Sequence, residues 1–256
     1  MTINISNGDC LTLMKDVPDK SVDLFICDLP YGETNCKWDS KIDLVEFWKE
    51  FKRIRKSKRT ACIHFCSTKF GYTLIKSNEA MFKMDMVWKK RNKTGGLQSR
   101  HRPMRNHEMV YFFYEQAPKY NRDKYHKRIQ AKKEHNIEKE DITMGKTNKM
   151  KDTMHKCFEP PNPASVIEED EPKSMFESTK VFIGKRHHQT EKPLDILEFF
   201  IKYWTDEGQT ILDPTMGSGS TGVACKTLKR NFIGFEMDEK IYKVAEERIK
   251  KVETII

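Results

Sequence analysis

Along the first 115 residues, short continuous apolar runs alternate with runs whose apolar positions recur every three or four residues. Val22-Asp23-Leu24-Phe25-Ile26-Cys27 and Ala61–Cys66 are nearly continuous, the pattern of short strands buried on both faces. Asn4–Ser6, Met84–Trp88 and the aromatic Met109–Tyr114 read as further strands. Leu11–Lys15, Leu44–Arg55 and Tyr72–Phe82 read as helices burying one face. The alternation stops over 116–163, rich in Lys, Asn, His and Glu and closed by Pro160-Pro161-Asn162-Pro163. That composition builds little core, so the segment reads as an insert without assigned elements. Order returns near Ser165, with a helix Leu194–Trp204 opening after Pro193, a strand Thr210–Leu212, a helix Ser220–Leu228, a strand Asn231–Phe235 and a helix Glu239–Val252. Strands alternating with helices imply an α/β protein on a mainly parallel sheet, in three parts: 1–115, the insert 116–163, and 164–256.

The length, 256 residues, suits one large domain or a domain carrying an insert. No run approaches the roughly 20 apolar residues of a membrane span, and no signal-peptide pattern opens the chain. The expectation is a soluble cytoplasmic protein with no membrane partner, or a nuclear one in a eukaryotic cell. The seven cysteines form no CxxC pair, which weakens zinc and redox-motif readings and fits a reducing compartment. His187-His188 lacks a ligand cluster, so no metal is expected. Net charge is +9, and the window 117–156, with twelve Lys and Arg against six Asp and Glu, supplies +6 of it. A basic insert on a nearly balanced body suits a polyanion, or is a solvated loop; charge alone does not decide. A second basic run, Lys52–Arg59, reads as a solvated helix end or a phosphate contact.

Gly217, Gly219 and Gly222 spell G-x-G-x-x-G between a strand and a helix, and the acid Glu236 closes the next strand. Such glycines let the chain turn tightly and let a ligand approach the backbone, while the acid suits ribose hydroxyls. The context asks for an adenosine-bearing cofactor. A dinucleotide fits poorly, because Asp213-Pro214 sets a carboxylate where pyrophosphate oxygens would come. One strand and two helices follow the loop, so the N-terminal half must supply the other strands. With Asn4–Ser6 beside Asn231–Phe235, the expected order is glycine-loop strand, acidic strand, N-terminal strand, then Val22–Cys27. The chain is then circularly permuted relative to a cofactor-first fold.

Asp28-Leu29-Pro30-Tyr31 follows the strand ending at Cys27, at the edge where open α/β sheets bind ligands. Asp28 and the Leu29 carbonyl can accept the two hydrogens of a ring amino group. Pro30 restricts Leu29 to extended backbone angles, and Tyr31 offers a stacking face. Alone, D-x-P-Y is a common turn; paired with the glycine loop it becomes a candidate site.

These residues resemble the beta group of S-adenosylmethionine-dependent DNA amino-methyltransferases. Asp28-Leu29-Pro30-Tyr31-Gly32 is similar to the family's D-P-P-Y motif, in the D-L-P-Y-G form of phage-type N6-adenine methylases. Asp213-Pro214-Thr215-Met216-Gly217-Ser218-Gly219 resembles the D-P-F-x-G-S-G cofactor loop, and Phe232–Glu236 the ribose-binding strand. His188–Pro193 resembles an H-P-T-Q-K-P segment, and Arg105-Asn106-His107-Glu108 a late catalytic-domain motif. Leu29, Gln189, Glu191 and Met216 depart from the family pattern, and Met216 puts an aromatic cofactor contact in doubt.

The resemblance implies a Rossmann-like methyltransferase fold, circularly permuted. Its mainly parallel seven-stranded sheet has one antiparallel strand, Met109–Tyr114, and carries a target-recognition insert. It implies S-adenosylmethionine bound by Asp9, Cys10, Asp28, Lys192, Asp213, Pro214, Gly217, Gly219 and Glu236, although Asp9 also reads as a turn former and Lys192 as an exposed lysine. Asp28, Leu29, Pro30 and Tyr31 are the catalytic candidates, acting on a base flipped out of the duplex. Arg122, Lys124, Arg128, Lys132 and Lys133 are the candidates for the DNA backbone. The expected activity is N6-adenine methylation of DNA. N4-cytosine methylation, RNA amino-methylation and a non-catalytic nucleic-acid-binding subunit are the alternatives; the oligomeric state stays open, a homodimer included.

Overall fold

Along each central strand, neighbouring side chains enter two different cores, and this alternation makes the sheet the middle of three layers. Leu24 and Ile26 of one strand join Ala61, Ile63, Phe65, Val110 and Phe112 on one face. Phe25 and Cys27 join Cys62, Cys66, Tyr111 and Phe113 on the other. The computed structural model describes residues 1–32, 42–128, 158–159, 164–168 and 191–252. They fall into two units, Met1–Lys119 with Ser165–Ile256, and Tyr120–Ala164.

The larger unit holds strands β1 (Ile3–Asn7), β2 (Leu24–Cys27), β3 (Ala61–Cys66), β4 (Phe82–Thr94), β5 (Arg105–Phe113), β8 (Val166–Glu168), β9 (Thr210–Asp213) and β10 (Asn231–Glu236). Helices α1 (Cys10–Met14), α2 (Leu44–Ile54) and α3 (Thr68–Ser77) cover one face. Helices α5 (Leu194–Trp204), α6 (Ser220–Thr227) and α7 (Glu239–Lys251) cover the other. The smaller unit contains α4 (Arg122–Tyr125) and an antiparallel pair, β6 (Lys127–Arg128) and β7 (Phe158–Glu159).

The sheet order is β1-β10-β9-β2-β3-β5-β4-β8. Every adjacent pair is parallel except β3·β5 and β4·β5, so β5 alone runs backwards. The expected fold class and antiparallel strand are present. Two expectations need correction. Among the described residues the sheet has eight strands, not seven, because the three-residue β8 adds to the edge beside β4, through Val87↔Val166 to Lys89↔Glu168. And β1 does not lie between the acidic strand and β2. It pairs with β10 as expected but stays at the outer edge, while β2 pairs with β9. Asp23 fixes that junction, since its carboxylate accepts from the Thr210 amide (3.0 Å) and the Gln209 side chain (3.1 Å). Helices leaving β9 and β2 go to opposite faces, so the crevice at a topological switch point opens between these two strands.

Candidate active site

The carboxyl ends of β1, β10, β9 and β2 lie side by side, and each is followed by or ends in an acid: Asp9, Glu236, Asp213 and Asp28. The expected catalytic turn and cofactor loop therefore meet on adjacent strands. A bond joins them directly, because the Thr215 hydroxyl donates to the Asp28 carbonyl at 3.0 Å.

Asp28 is held from two sides. Lys192 Nζ donates to Oδ2 at 2.5 Å, and the Tyr31 hydroxyl lies 3.0 Å from Oδ1 and 3.1 Å from the Phe65 carbonyl. Tyr31 has one hydroxyl proton, so it serves one of these acceptors at a time. Its ring stacks on Phe70, with centroids 5.1 Å apart. Burial raises the Tyr31 phenol well above its ordinary range, and Asp28 and Glu108 push the same way. Leu29 is buried, and among the described residues no donor is directed at its carbonyl. Beside Tyr31 a cavity of about 200 Å³ is lined by Gly32, Leu44, Lys69, Phe70 and Thr73.

Lys192 sits where two carboxylates converge, 2.5 Å from Asp28 and 3.7 Å from Glu108. Burial alone would lower its pKa, but Asp28 and Glu108 outweigh that and hold it above the ordinary lysine value. For Glu108 burial works upward, and Lys192 with Lys90 overcomes it, leaving the carboxyl below its usual range. Glu108 also pairs with Lys90, so a chain of alternating charges runs Asp28, Lys192, Glu108, Lys90. In this structure Lys192, expected near the cofactor, is a partner of the catalytic candidate.

On the cofactor side, Asp213 ends β9 buried. It accepts from the Thr221 hydroxyl at 2.6 Å and the Thr215 amide at 3.1 Å. Burial pushes its carboxyl up to about 7 against those two bonds. Pro214 and Met216 follow, and Met216 is buried with its sulfur over Gly234, so its side chain belongs to the core. Glu236 accepts from the Gly217 amide at 3.1 Å and the Asp238 amide at 2.8 Å; burial raises it against these bonds. Gly217 has φ 53°, and a Cβ there would meet nothing within 4 Å. Gly219 and Gly222 serve another purpose. A Cβ on Gly219 would meet Ala245 at 3.0 Å and one on Gly222 would meet Ile249 at 2.4 Å, so both let α6 approach α7. Asp9 caps α1 by accepting from the Thr12 amide at 2.9 Å, which satisfies the turn reading. Cys10 is half-buried, its thiol pushed up to about 12 by burial and then by Asp9.

The pattern-based reading left Glu108, Thr215, Thr221 and Lys90 off the site. Glu108 and Thr215 lie inside the quoted motifs and were legible there; Lys90 and Thr221 become visible only through their partners. One cluster of possible metal ligands stands among the described residues, buried Cys27, Cys62 and His64, with Cys27 and Cys62 sulfurs 3.8 Å apart. Rings of Phe47, Trp48 and Phe113 pack round His64, making this trio part of the core. Of the DNA-backbone candidates, Arg122 and Lys124 lie on α4 and Arg128 in β6; Lys132 and Lys133 fall outside the described residues, as does 187–190.

A family model described as DNA methylase, spanning N6-adenine and N4-cytosine enzymes, matches residues 22–247. The chain belongs to this DNA methylase family. It is 26% identical to the Type II methyltransferase M.HinfI of Haemophilus influenzae over 97% of this chain and 68% of that one. To M1.MboII of Moraxella bovis it is 26% identical over 91% of each. Higher identity is local: 42% to M2.DpnII of Streptococcus pneumoniae over 30% of this chain, which spans 28% of that protein's length. Among solved structures, the M1.HpyAVI–SAM complex matches with TM-score 0.60 at 23% identity over 96% of this chain and 100% of that one. The cytosine-N4-specific PvuII DNA methyltransferase matches with TM-score 0.66 at 15% identity over 100% and 88%. These two likenesses show the fold.

The methylase's cofactor is S-adenosylmethionine, and the site suits it. Four carboxylates line the edge, and Lys192 is bonded to one of them, Asp28. Such an acceptor-rich edge favours a cationic ligand with amino and hydroxyl donors and disfavours a pyrophosphate. The open space beside Gly217 lets a ligand reach the backbone.

Proposed function

We propose that this DNA methyltransferase methylates adenine at N6 in duplex DNA, after the base has been extruded toward Tyr31. The observation that carries the reading is the Asp28 carboxylate at the head of the turn, oriented by Lys192 and Tyr31. In the family that these motifs resemble, the N4-cytosine group more often carries Ser at the position of Asp28. The fold does not choose between the two bases.

When bound, S-adenosylmethionine supplies a methyl group on a positively charged sulfur, which is activated for direct transfer. The protein's task is positioning and electrostatics. An exocyclic amino nitrogen is a weak nucleophile because its lone pair is delocalised into the ring. Asp28 Oδ1 and the Leu29 carbonyl accept its two hydrogens and favour a tetrahedral nitrogen. Lys192 fixes the carboxylate through Oδ2. Oδ1 then exchanges the Tyr31 hydroxyl, which has the Phe65 carbonyl as its alternative acceptor, for a substrate N–H. Asp213, Gly217 and Glu236 would hold the cofactor from the adjacent strands, with Asp9, Cys10 and Pro214 shaping that edge. The insert 116–163 supplies target recognition. The test is mass analysis of nucleosides from duplex DNA incubated with protein and S-adenosylmethionine. N6-methyladenine is expected; N4-methylcytosine alone refutes the adenine assignment and leaves the family in place.

A further inference from the structure

The strands β4 and β5 continue past the rest of the sheet at the catalytic edge. β3 ends at Cys66, which pairs with Met109, and Met109 pairs with Val87 on β4. β8 follows β4 only as far as Lys89. Among the described residues β4 pairs only with β5 from Lys90 onward, and Thr94 still pairs with Arg105 across a register shift. Five residues of strand span roughly 15 Å, so the hairpin is an arm of about that reach. Gly95, at φ 87°, turns it, and a 3-10 turn, Gly96–Gln98, forms its tip.

The arm's sequence is one-sided. Between Lys89 and Arg105 stand seven Lys and Arg and no Asp or Glu. Lys93, Arg100, Arg102 and Arg105 are exposed, and none forms an ion pair among the described residues. Leu97, at the tip, is fully exposed at 103%. A strand pair in solvent with no acid is costly for an isolated protein, because its charges repel one another. At its base, Lys90 joins the charge chain through Glu108 and Lys192 to Asp28. The arm therefore starts at the reaction centre.

The other basic run outside the insert, Lys52–Arg59, does not share these features. Arg53 pairs with Glu50 and Asp19, Arg55 and Lys58 with Glu115, and Lys56 with Asp23. It also precedes β3, at the amino ends of the strands, opposite to Asp28.

We propose that the β4–β5 arm, 89–105, is a duplex-DNA-binding element beside the active site. Lys93, Arg100, Arg102 and Arg105 contact phosphates, and Leu97 makes an apolar contact with the bases. Phosphate contacts anchor the duplex without reading its sequence, and an apolar side chain at a base step suits an enzyme that must unstack its target. The proposal rests on the reading that DNA is the substrate.

The test compares wild type with a variant in which Lys93, Arg100, Arg102 and Arg105 are all Gln, by binding to a mixed-sequence duplex across a salt series. Each lost phosphate contact lowers the slope of log affinity against log salt by about 0.9, so a fall of roughly 2–4 is expected, with affinity down on the order of ten- to a hundredfold. Cofactor affinity and thermal midpoint stay at wild-type values. If the fourfold variant does not fold, R100Q and R102Q singly should each lower the slope by about 1. L97A should weaken binding with the slope unchanged, because no counterion is involved; unchanged affinity removes Leu97 from the contact. A wild-type slope in the fourfold variant overturns the arm, all the more if replacing Arg122, Lys124, Arg128, Lys132 and Lys133 by Gln abolishes the salt dependence. A wild-type protein that neither binds the duplex nor methylates it overturns instead the DNA reading on which the arm rests.

Discussion

Removing the Lys192 cation tests the account of the site most directly. Lys192→Met keeps most of the side-chain volume and deletes the charge between Asp28 and Glu108. At separations of 2.5 and 3.7 Å and an effective dielectric of about 20, the gross Coulomb attractions are about 7 and about 4 kcal/mol. Most of this is offset by the desolvation of mostly buried groups, and breaking a buried pair from one side costs about 3–5 kcal/mol. Asp28 keeps 28% of its side chain exposed, and Glu108 keeps Lys90, so the low end applies, about 3 kcal/mol. For a chain of this size that is a fall of about 6–12 °C in Tm, measured by calorimetry without cofactor. The pH dependence gives a second check. Glu108 is depressed in the folded protein, so its contribution is present above the ordinary carboxylate value and lost as pH falls through its folded value. Lys192 is raised, so its contribution is present below the ordinary lysine value and lost only as pH rises past it. The gap between wild type and Lys192→Met should thus narrow as pH falls through the folded value of Glu108. A double-mutant cycle with Asp28→Asn should return a coupling of about 1–3 kcal/mol. A Tm within about 1 °C of wild type, roughly the precision of such a scan, together with no coupling, refutes the charge chain.

Asp28→Ala should abolish methyl transfer, read by nucleoside mass analysis, while calorimetry shows cofactor affinity within a few-fold of wild type. Glu236→Ala should do the reverse and weaken S-adenosylmethionine binding by roughly 1–3 kcal/mol, as expected for the loss of a hydrogen bond to a charged group. The raised Asp213 carboxyl makes cofactor binding pH-dependent: a cationic ligand favours the carboxylate, so binding releases a proton, and affinity should rise up to tenfold per pH unit below about 7 and level off above it. Without ligand the same group has the opposite effect, its share of stability being full below the ordinary aspartate value and falling as pH rises to about 7. Gly222→Ala drives a Cβ to 2.4 Å from Ile249 and 2.9 Å from Phe232, so overpacking should lower stability by about 1–3 kcal/mol in thermal unfolding with the catalytic residues untouched.

What the chain discloses by itself depends on how far apart the deciding residues lie. Ala61–Cys66 and Leu194–Trp204 have their expected bounds because continuous burial and a helical stripe are local patterns. The turn at Asp28 and the loop at Gly217 were legible for the same reason. β4 runs on to Thr94, well past the apolar Met84–Trp88, because pairing with β5 continues where burial stops. The position of β1 was misread, since its pairing with β10 is compatible with either flank and only the Asp23–Thr210 junction excludes one. The partnership of Lys192 with Asp28 spans 164 positions, and no spacing rule reaches that far. The basic stretch 89–105 was in plain view but carried no periodic signal; its meaning comes from projecting at the catalytic edge.

The sheet order has a chemical consequence that the expected order would lack. With β1 between β10 and β2, two strands would have stood between the cofactor loop and the catalytic turn, a separation of three strand spacings, about 14 Å at about 4.8 Å each. With β9 beside β2, Asp213 and Asp28 end neighbouring strands, and Thr215 reaches the Asp28 carbonyl. Burial is the largest cause of the raised Asp213 and Glu236 carboxyls, and the neighbouring Asp28 and Glu236 push Asp213 the same way. On the proposed reading a cationic cofactor would offset that cost on one side of the switch point, as Lys192 does beside Asp28 on the other. The two halves of the reaction are thus balanced by different positive charges, one brought by the ligand and one built into the chain. This is why the charge of Lys192, rather than its bulk, should govern the behaviour of Asp28.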